Sequence, residues 1–412
     1  MPFSTFFYYL RIISIFLGRI FREFWWLLAL IIFGKIFIDL NRKYKEKKKK
    51  EKEEIKDWVV LKVKINREIL QTPKAMEQVF NGLHVIEKGY ICLELVGMDR
   101  ELHFIIRAPK EYKNLLESQF YAQYPEVEIK EIDDYFLRLP AHLPNKDFDL
   151  WGTEIALEKE NYYPIKTYSY FEELKEEKRI DPISSFAESI DKLQKSELLV
   201  LEVLIKPLSD KDAKKFIDEG KEKVNSMLGK KKSKVITWQD WVVAFFKNLL
   251  LGIVEPLVWP SKEEKKDESP TVLSPGGKDI IKSIEKKIDQ LSFDTNIRLV
   301  YISPKKIFNE FNVSSFMAFL KQFNSKDLNG FKIDKDTSTV LKTRIFQNKK
   351  LFSKKMDFYQ DCLKRKSSQN GMILNTEELA TIYHFPVLKV KTPALVRVLS
   401  KKGEPPIALP IE

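Results

Sequence analysis

The side chains able to do chemistry lie far apart along this chain. The four histidines, His84, His103, His142 and His384, share no spacing with one another or with a cysteine pair that would present metal ligands from one turn. Cys92 and Cys362 are too few for a disulfide framework and form no metal-ligand pattern, which points to a reducing compartment. Cys92 lies in the apolar run YICLELVG, where burial favours the inert thiol over the reactive thiolate. No HExxH helix, GxSxG elbow or GxxxxGK[ST] loop occurs. SPGGKD, from Ser274, lacks both the spacing and the preceding strand that let successive amides enclose a phosphate. Glu377 and Glu378 follow Asn375 and Thr376 at the start of a short helix, where a side-chain cap and early acids satisfy its positive end. On these residues the chain reads as no enzyme, with no cofactor and no metal.

Binding is the chemistry that remains. Lys342, Arg344, Lys349, Lys350, Lys354, Lys355, Lys364, Arg365 and Lys366 are interleaved with Phe346, Phe352, Phe358 and Tyr359. Such a surface contacts phosphates and stacks bases, so these cations are candidates for DNA contact. The same pattern also fits an amphipathic helix with its rings inward and its lysines in water. Lysine and arginine total 71 against 59 acids, a net +12 that favours anionic partners. Much of that excess is local, because NRKYKEKKKKEKE at 41–53 carries eight of the basic side chains.

Ahead of that run, IISIFLGRIFREFWWLLALIIFGKIFI is about as long as a bilayer-spanning helix requires. Phe24, Trp25, Trp26, Leu27, Leu28, Ile31, Ile32 and Phe33 are the candidate anchor. The basic run after it places the following residues on the cytoplasmic side of an inner membrane. WQDWVVAFFKNLLLGIVEPLVWP, beginning at Trp238, offers Trp238, Trp241, Phe245, Phe246 and Trp259 as a second lipid contact, lying in the headgroup layer, or as a core helix bracketed by a surface loop.

Between these segments the periodicity gives a strand at WVVLKVKI, a helix at PKAMEQVFNGLH, strands at YICLELVG and ELHFIIRAP, a helix over 110–124 and a strand at EVEIKEI. That order is the split βαβ, ferredoxin-like arrangement. A related order recurs from ELLVLEVLIKPL, and NIRLVYISPKKIFNEF echoes ELHFIIRAPKEYKNLL. The expected fold is therefore α+β: an N-terminal transmembrane helix followed by tandem ferredoxin-like units. The expected divisions are an anchor at 1–40, a charged linker at 41–56, a first unit at 57–133 and an aromatic, proline-rich connection at 134–196. A second unit follows at 197–334 with an amphipathic insertion at 236–274, and a basic helical and C-terminal region closes the chain at 335–412.

NTEELATIYHFP, KTPALVRVLSKKGEPPIALP, WGTEIALEKENYYPIKTY and IDPISSFAESIDKLQKSELLVLEVLIKP resemble the front region of membrane-associated, conjugation or type IV secretion-like (HerA-like) ATPases of candidate-phylum bacteria. The sequence ends at Glu412 before any phosphate loop. The resemblance therefore implies a non-catalytic, membrane-anchored component that positions or regulates a separate translocation ATPase, with a membrane-tethered DNA-binding module as the alternative. It makes Tyr383, His384, Phe385 and Pro386 candidates for contact with that motor, packing on the chain's own second unit being the competing role. Implied partners are membrane lipid, the ATPase, DNA, and further copies or other subunits.

Overall fold

The computed structural model describes residues 33–35, 37, 57–65, 71–171, 181–229, 238–251, 273–339, 347–366, 371–386 and 393–394. The chain divides into two units, Met1–Lys56 and Asp57–Glu412, and the second holds the sheet. Its elements are β1 (Trp58–Lys64), α1 (Pro73–Leu83), β2 (Ile91–Met98), β3 (Glu101–Pro109), α2 (Lys113–Gln123), β4 (Glu128–Glu131) and β5 (Phe148–Leu157), then α3 (Ile183–Asp191), β6 (Leu198–Pro207), α4 (Asp210–Met227), α5 (Trp238–Leu251) and α6 (Pro275–Ile288). β7 (Ser292–Pro304), α7 (Glu310–Lys321), β8 (Phe331–Ile333), α8 (Gln347–Lys364), β9 (Met372–Asn375) and α9 (Thr376–Ile382) complete the order.

The strands join one open antiparallel sheet, β4-β1-β3-β2-β6-β7-β5-β8, with β9 pairing β7 beside the end of β5. A two-residue turn at Asp99 and Arg100, both with positive φ (54° and 66°), closes the β2–β3 hairpin in the sense that matches strand twist. The long seam is β2 on β6, in register from Ile91↔Ile205 to Met98↔Leu198.

Alternation along each central strand feeds two cores. Leu93, Leu95, Leu199, Leu201, Val203, Ile297, Leu299 and Tyr301 face one side, together with buried residues of α1, α2, α3, α7 and α9. Val96, Val200, Val300 and Ile302 face the other, beneath Phe358, Tyr359 and Cys362 of α8 and Tyr135, Phe136 and Leu143 of the β4–β5 connection. Both faces are covered, which is why these strands read as nearly continuous apolar runs. Gly152 permits the close approach of α8, since a Cβ there would overlap the Phe358 ring.

This architecture corrects the fold expected from the sequence. The fold is mixed α+β, but no tandem ferredoxin-like repeat is found: both expected units merge into one sheet, and the stretch expected to form a second unit at 197–334 does not close on itself. β5, from the expected connection, lies between β7 and β8 and supplies the pairing they need. Phe24, Trp25, Trp26, Leu27, Leu28, Ile31 and Ile32 lie outside the described residues, and Phe33 is 73% exposed. Among the described residues no helix is long and apolar enough to cross a membrane. The expected transmembrane helix, the membrane-anchored role in secretion, its membrane-tethered DNA-binding alternative and the inner-membrane location lose their structural ground with it.

Candidate functional site

Four neighbouring strands each carry a charge inside an apolar stretch, and the register brings those charges side by side. Glu94 of β2 pairs with Glu202 of β6, Glu202 with Arg298 of β7, and Arg298 with Glu154 of β5. Glu94, Glu202 and Arg298 have no exposed surface and Glu154 retains 9%. A charge in such a place must be paired or neutralised.

α8 supplies the next partner. The helix ends on Arg365, whose φ of 45° is left-handed, with Arg365 N donating to Cys362 O at 3.0 Å and Lys366 N to Asp361 O at 2.9 Å. Glycine is the usual residue at that position because it has no Cβ. An arginine accepts the strain there because the turn sends its side chain back under the helix. Arg365 Nε donates to Glu94 Oε1 at 2.9 Å, and Nη1 and Nη2 donate to the two oxygens of Asp134 at 2.6 and 2.9 Å. Its guanidinium also lies 4.4 Å over the Phe136 ring.

Arg298 Nε lies 2.8 Å from Glu202 Oε2, but its N–H is not aligned on that oxygen, so the contact is an ion pair without a directed hydrogen bond. Glu94 Oε2, both Glu202 oxygens and Arg298 Nη1 and Nη2 likewise have no hydrogen-bond partner. Burial raises the Glu202 pKa above the ordinary carboxylate value, Glu94 adds to the rise, and Arg298 opposes it. Burial also pushes both cysteine thiols well up.

Cys92 Sγ donates to Glu94 Oε1 at 3.2 Å. The ligand atoms of Cys92, Glu94 and Glu202 all lie within 4.8 Å of one another, the spacing of a metal-ligand set. This corrects the expectation that the chain holds no metal-ligand constellation, and with it the ground for reading the chain as no enzyme. Linear spacing could not show the group, because its donors meet only across a strand pair. The available signal was a single glutamate at the middle of YICLELVG and of LLVLEVLIKP.

A family model described as a domain of unknown function, DUF8128, matches residues 37–397, most of the chain. The chain belongs to the DUF8128 family. No curated protein matches it. The DUF8128 match spans the whole described sheet, the charge row included, and names no ATPase, DNA or membrane.

Within the DUF8128 fold the residues picked out from the sequence go to different places. Lys342, Arg344 and Trp259 lie outside the described residues. Lys349, Lys350, Lys364 and Lys366 are exposed on or just after α8, Lys354 donates to Lys335 O at 3.4 Å, and Lys355 pairs with Asp149 at 2.7 Å. Arg365 is fully buried. Tyr383, His384, Phe385 and Pro386 are buried too: Tyr383 and Phe385 pack edge-on against Phe104, Phe385 also meets Tyr124, and His384 Nε2 lies 3.1 Å from Asp181. Trp241 and Phe245 are exposed on α5. Trp238 and Phe246 belong to the same helix.

Proposed function

We propose that the chain is an assembly module that pairs with a second copy of itself through α5. The observation carrying this reading is the exposure of adjacent apolar positions: Trp241 at 48%, Val242 at 40%, Val243 at 67% and Phe245 at 53%. Successive residues turn about 100° around a helix, so this surface is wider than one face. Contiguous apolar surface of that kind marks an interaction site.

The helix is carried on a built support. α4 and α6 leave and rejoin the sheet side by side, Leu208 N donating to Ser292 O at 3.1 Å. They share a core of Phe216, Val224, Ile281, Ile284 and Ile288, and α5 is spliced into the connection between them. Its 14 residues span on the order of 21 Å, short of a bilayer's apolar thickness.

Charge favours a second copy as the occupant. Lys230, Lys231, Lys232 and Lys234 precede α5, whereas Glu255, Glu263, Glu264, Asp267 and Glu268 outnumber Lys262, Lys265 and Lys266 after it. An antiparallel pair sets the basic flank of one chain beside the acidic flank of the other and the Asp240 position opposite Lys247. Such a surface is self-complementary, as a twofold interface requires.

Sedimentation of the full chain tests this. Wild type is expected to form a dimer that Val243→Asp makes monomeric. Exchanging the charges, Asp240→Lys with Lys247→Asp, preserves the dimer, while either change alone weakens it. A wild type that stays monomeric at every concentration overturns the reading, as does a monomer whose α5 binds vesicles of anionic lipid. A dimer indifferent to Val243→Asp does the same.

A further inference from the structure

The sequence contains two cysteines, and the fold brings both to one carboxylate. Cys92 is fully buried on β2, two residues before Glu94 and on the same face. Cys362 is fully buried on α8, and the charge of Glu202 acts on both thiols. Cys362 lies beyond the mutual 4.8 Å spacing of Cys92, Glu94 and Glu202, on the helix that covers them.

Two further observations point to a cation among these groups. Glu94 and Glu202 are directly opposite one another on neighbouring strands, a like-charge pair in a dry interior. With Asp134, three carboxylates pair with the guanidiniums of Arg298 and Arg365, and Glu154 stands opposite Arg298 in the β5–β7 register. The second observation is that Glu94 Oε2 and both Glu202 oxygens, all buried, have no hydrogen-bond partner, the guanidinium of Arg298 lying 2.8 Å from Glu202 with its own nitrogens likewise unpartnered.

We propose that Cys92, Glu94 and Glu202 bind one thiophilic divalent cation of the zinc class, with Cys362 facing its fourth position. Two carboxylates and a thiolate are donors that zinc accepts in tetrahedral sites. Arg365 on Glu94 and Arg298 on Glu202 then act as outer partners that orient the ligating carboxylates. Binding replaces the Cys92 thiol proton, which leaves to solvent, so one S–H bond breaks as one metal–sulfur bond forms. The dication reduces the excess of negative charge even with Cys92 bound as thiolate. Because the site is enclosed by α8, the cation enters during folding.

The test uses the full chain, expressed with zinc and separately refolded with cobalt(II). Elemental analysis is expected to give one zinc per chain retained through dialysis. The cobalt form is expected to show a sulfur-to-metal charge-transfer band that is lost in Cys92→Ser and diminished in Cys362→Ser. If Cys92→Ser fails to fold, zinc-edge absorption of the wild type decides, and a sulfur neighbour with oxygen neighbours is the expected shell. A folded wild type with no retained zinc, no cobalt band and no rise in melting temperature with either metal overturns the proposal. A zinc shell without sulfur, or a band that survives in Cys92→Ser, overturns it too.

Discussion

Two buried ion-pair clusters hold opposite faces of the sheet, and they are built on different terms. Beneath α8, Glu94, Glu202, Arg298 and Arg365 leave carboxylate oxygens and the Arg298 guanidinium nitrogens without hydrogen bonds. On the other face, Lys287 Nζ of α6 donates to Glu378 Oε1 at 3.1 Å and to Tyr163 O at 3.2 Å, and lies 3.0 Å from Glu378 Oε2. Glu378 also accepts from Ile165 N at 2.8 Å and Asn375 N at 3.0 Å, and Asn375 Oδ1 accepts from Glu378 N in a capping box. Beside it Glu377 takes Lys286 at 2.7 Å and the Thr167 and Ser169 hydroxyls. Burial pushes the Lys287 pKa down and the Glu378 pKa up, yet every acceptor of that pair is occupied. A complete cluster clamps β9 and α9 onto the fold; an incomplete one has capacity for something more.

Breaking the α8 cluster at its hub has the largest expected effect. Arg365→Ala leaves Glu94 buried without its guanidinium and frees Asp134, at a cost of about 4–5 kcal/mol in urea unfolding. Lys287→Met, on the other face, is expected to cost about 3 kcal/mol, because Glu378 can take up a proton and keep its backbone partners. Adding Glu378→Gln to that variant should recover part of the loss.

A buried titratable group whose nearest carboxylate is half exposed provides a control. His103, on the same sheet face as Glu94 and opposite Val96, has its pKa lowered to about 4, first by burial and then by Lys62. Glu101 lies 3.8 Å away but is half exposed and does not offset the burial. The unfolded chain then binds the proton more tightly than the folded one. Stability from this group is therefore complete above pH 6.5 and falls by up to about 2–3 kcal/mol as pH drops toward 4. His103→Phe should flatten that part of the stability–pH curve. The smallest effect is expected from Gly152→Ala, which forces Phe358 of α8 aside at a cost of about 2 kcal/mol in the same unfolding assay.

The contrast between the clusters also explains what could be read from the sequence. Periodicity located β1, α1, β2 and β3 within a residue or two, because apolar alternation and Pro73 are local signals. It located the cap of α9 for the same reason, since Asn375 and Glu378 are neighbours in the chain. The sheet as a whole was not legible, because the insertion of β5 between β7 and β8 depends on pairings across more than 140 residues. The metal-capable group was hidden in the same way: Cys92 and Glu202 meet only through the β2–β6 register. Arg365 looked like one cation among nine on a basic surface, and nothing local showed that a left-handed helix end would turn it inward.

One chemical change made in both clusters tests the account most directly. In chelator-treated full chain, Glu202→Gln removes one of two carboxylates that face each other across β2 and β6 but also the ion-pair partner of Arg298, whereas Glu378→Gln removes the one carboxylate that Lys287 pairs with. The predicted result of urea unfolding is unequal behaviour: Glu202→Gln, which relieves the repulsion from Glu94 while loosening Arg298, costs less than Glu378→Gln, which destabilises by about 2 kcal/mol. Equal losses in the two variants, or a larger loss for Glu202→Gln, would contradict the claim that the row beneath α8 carries more negative charge than its own partners satisfy.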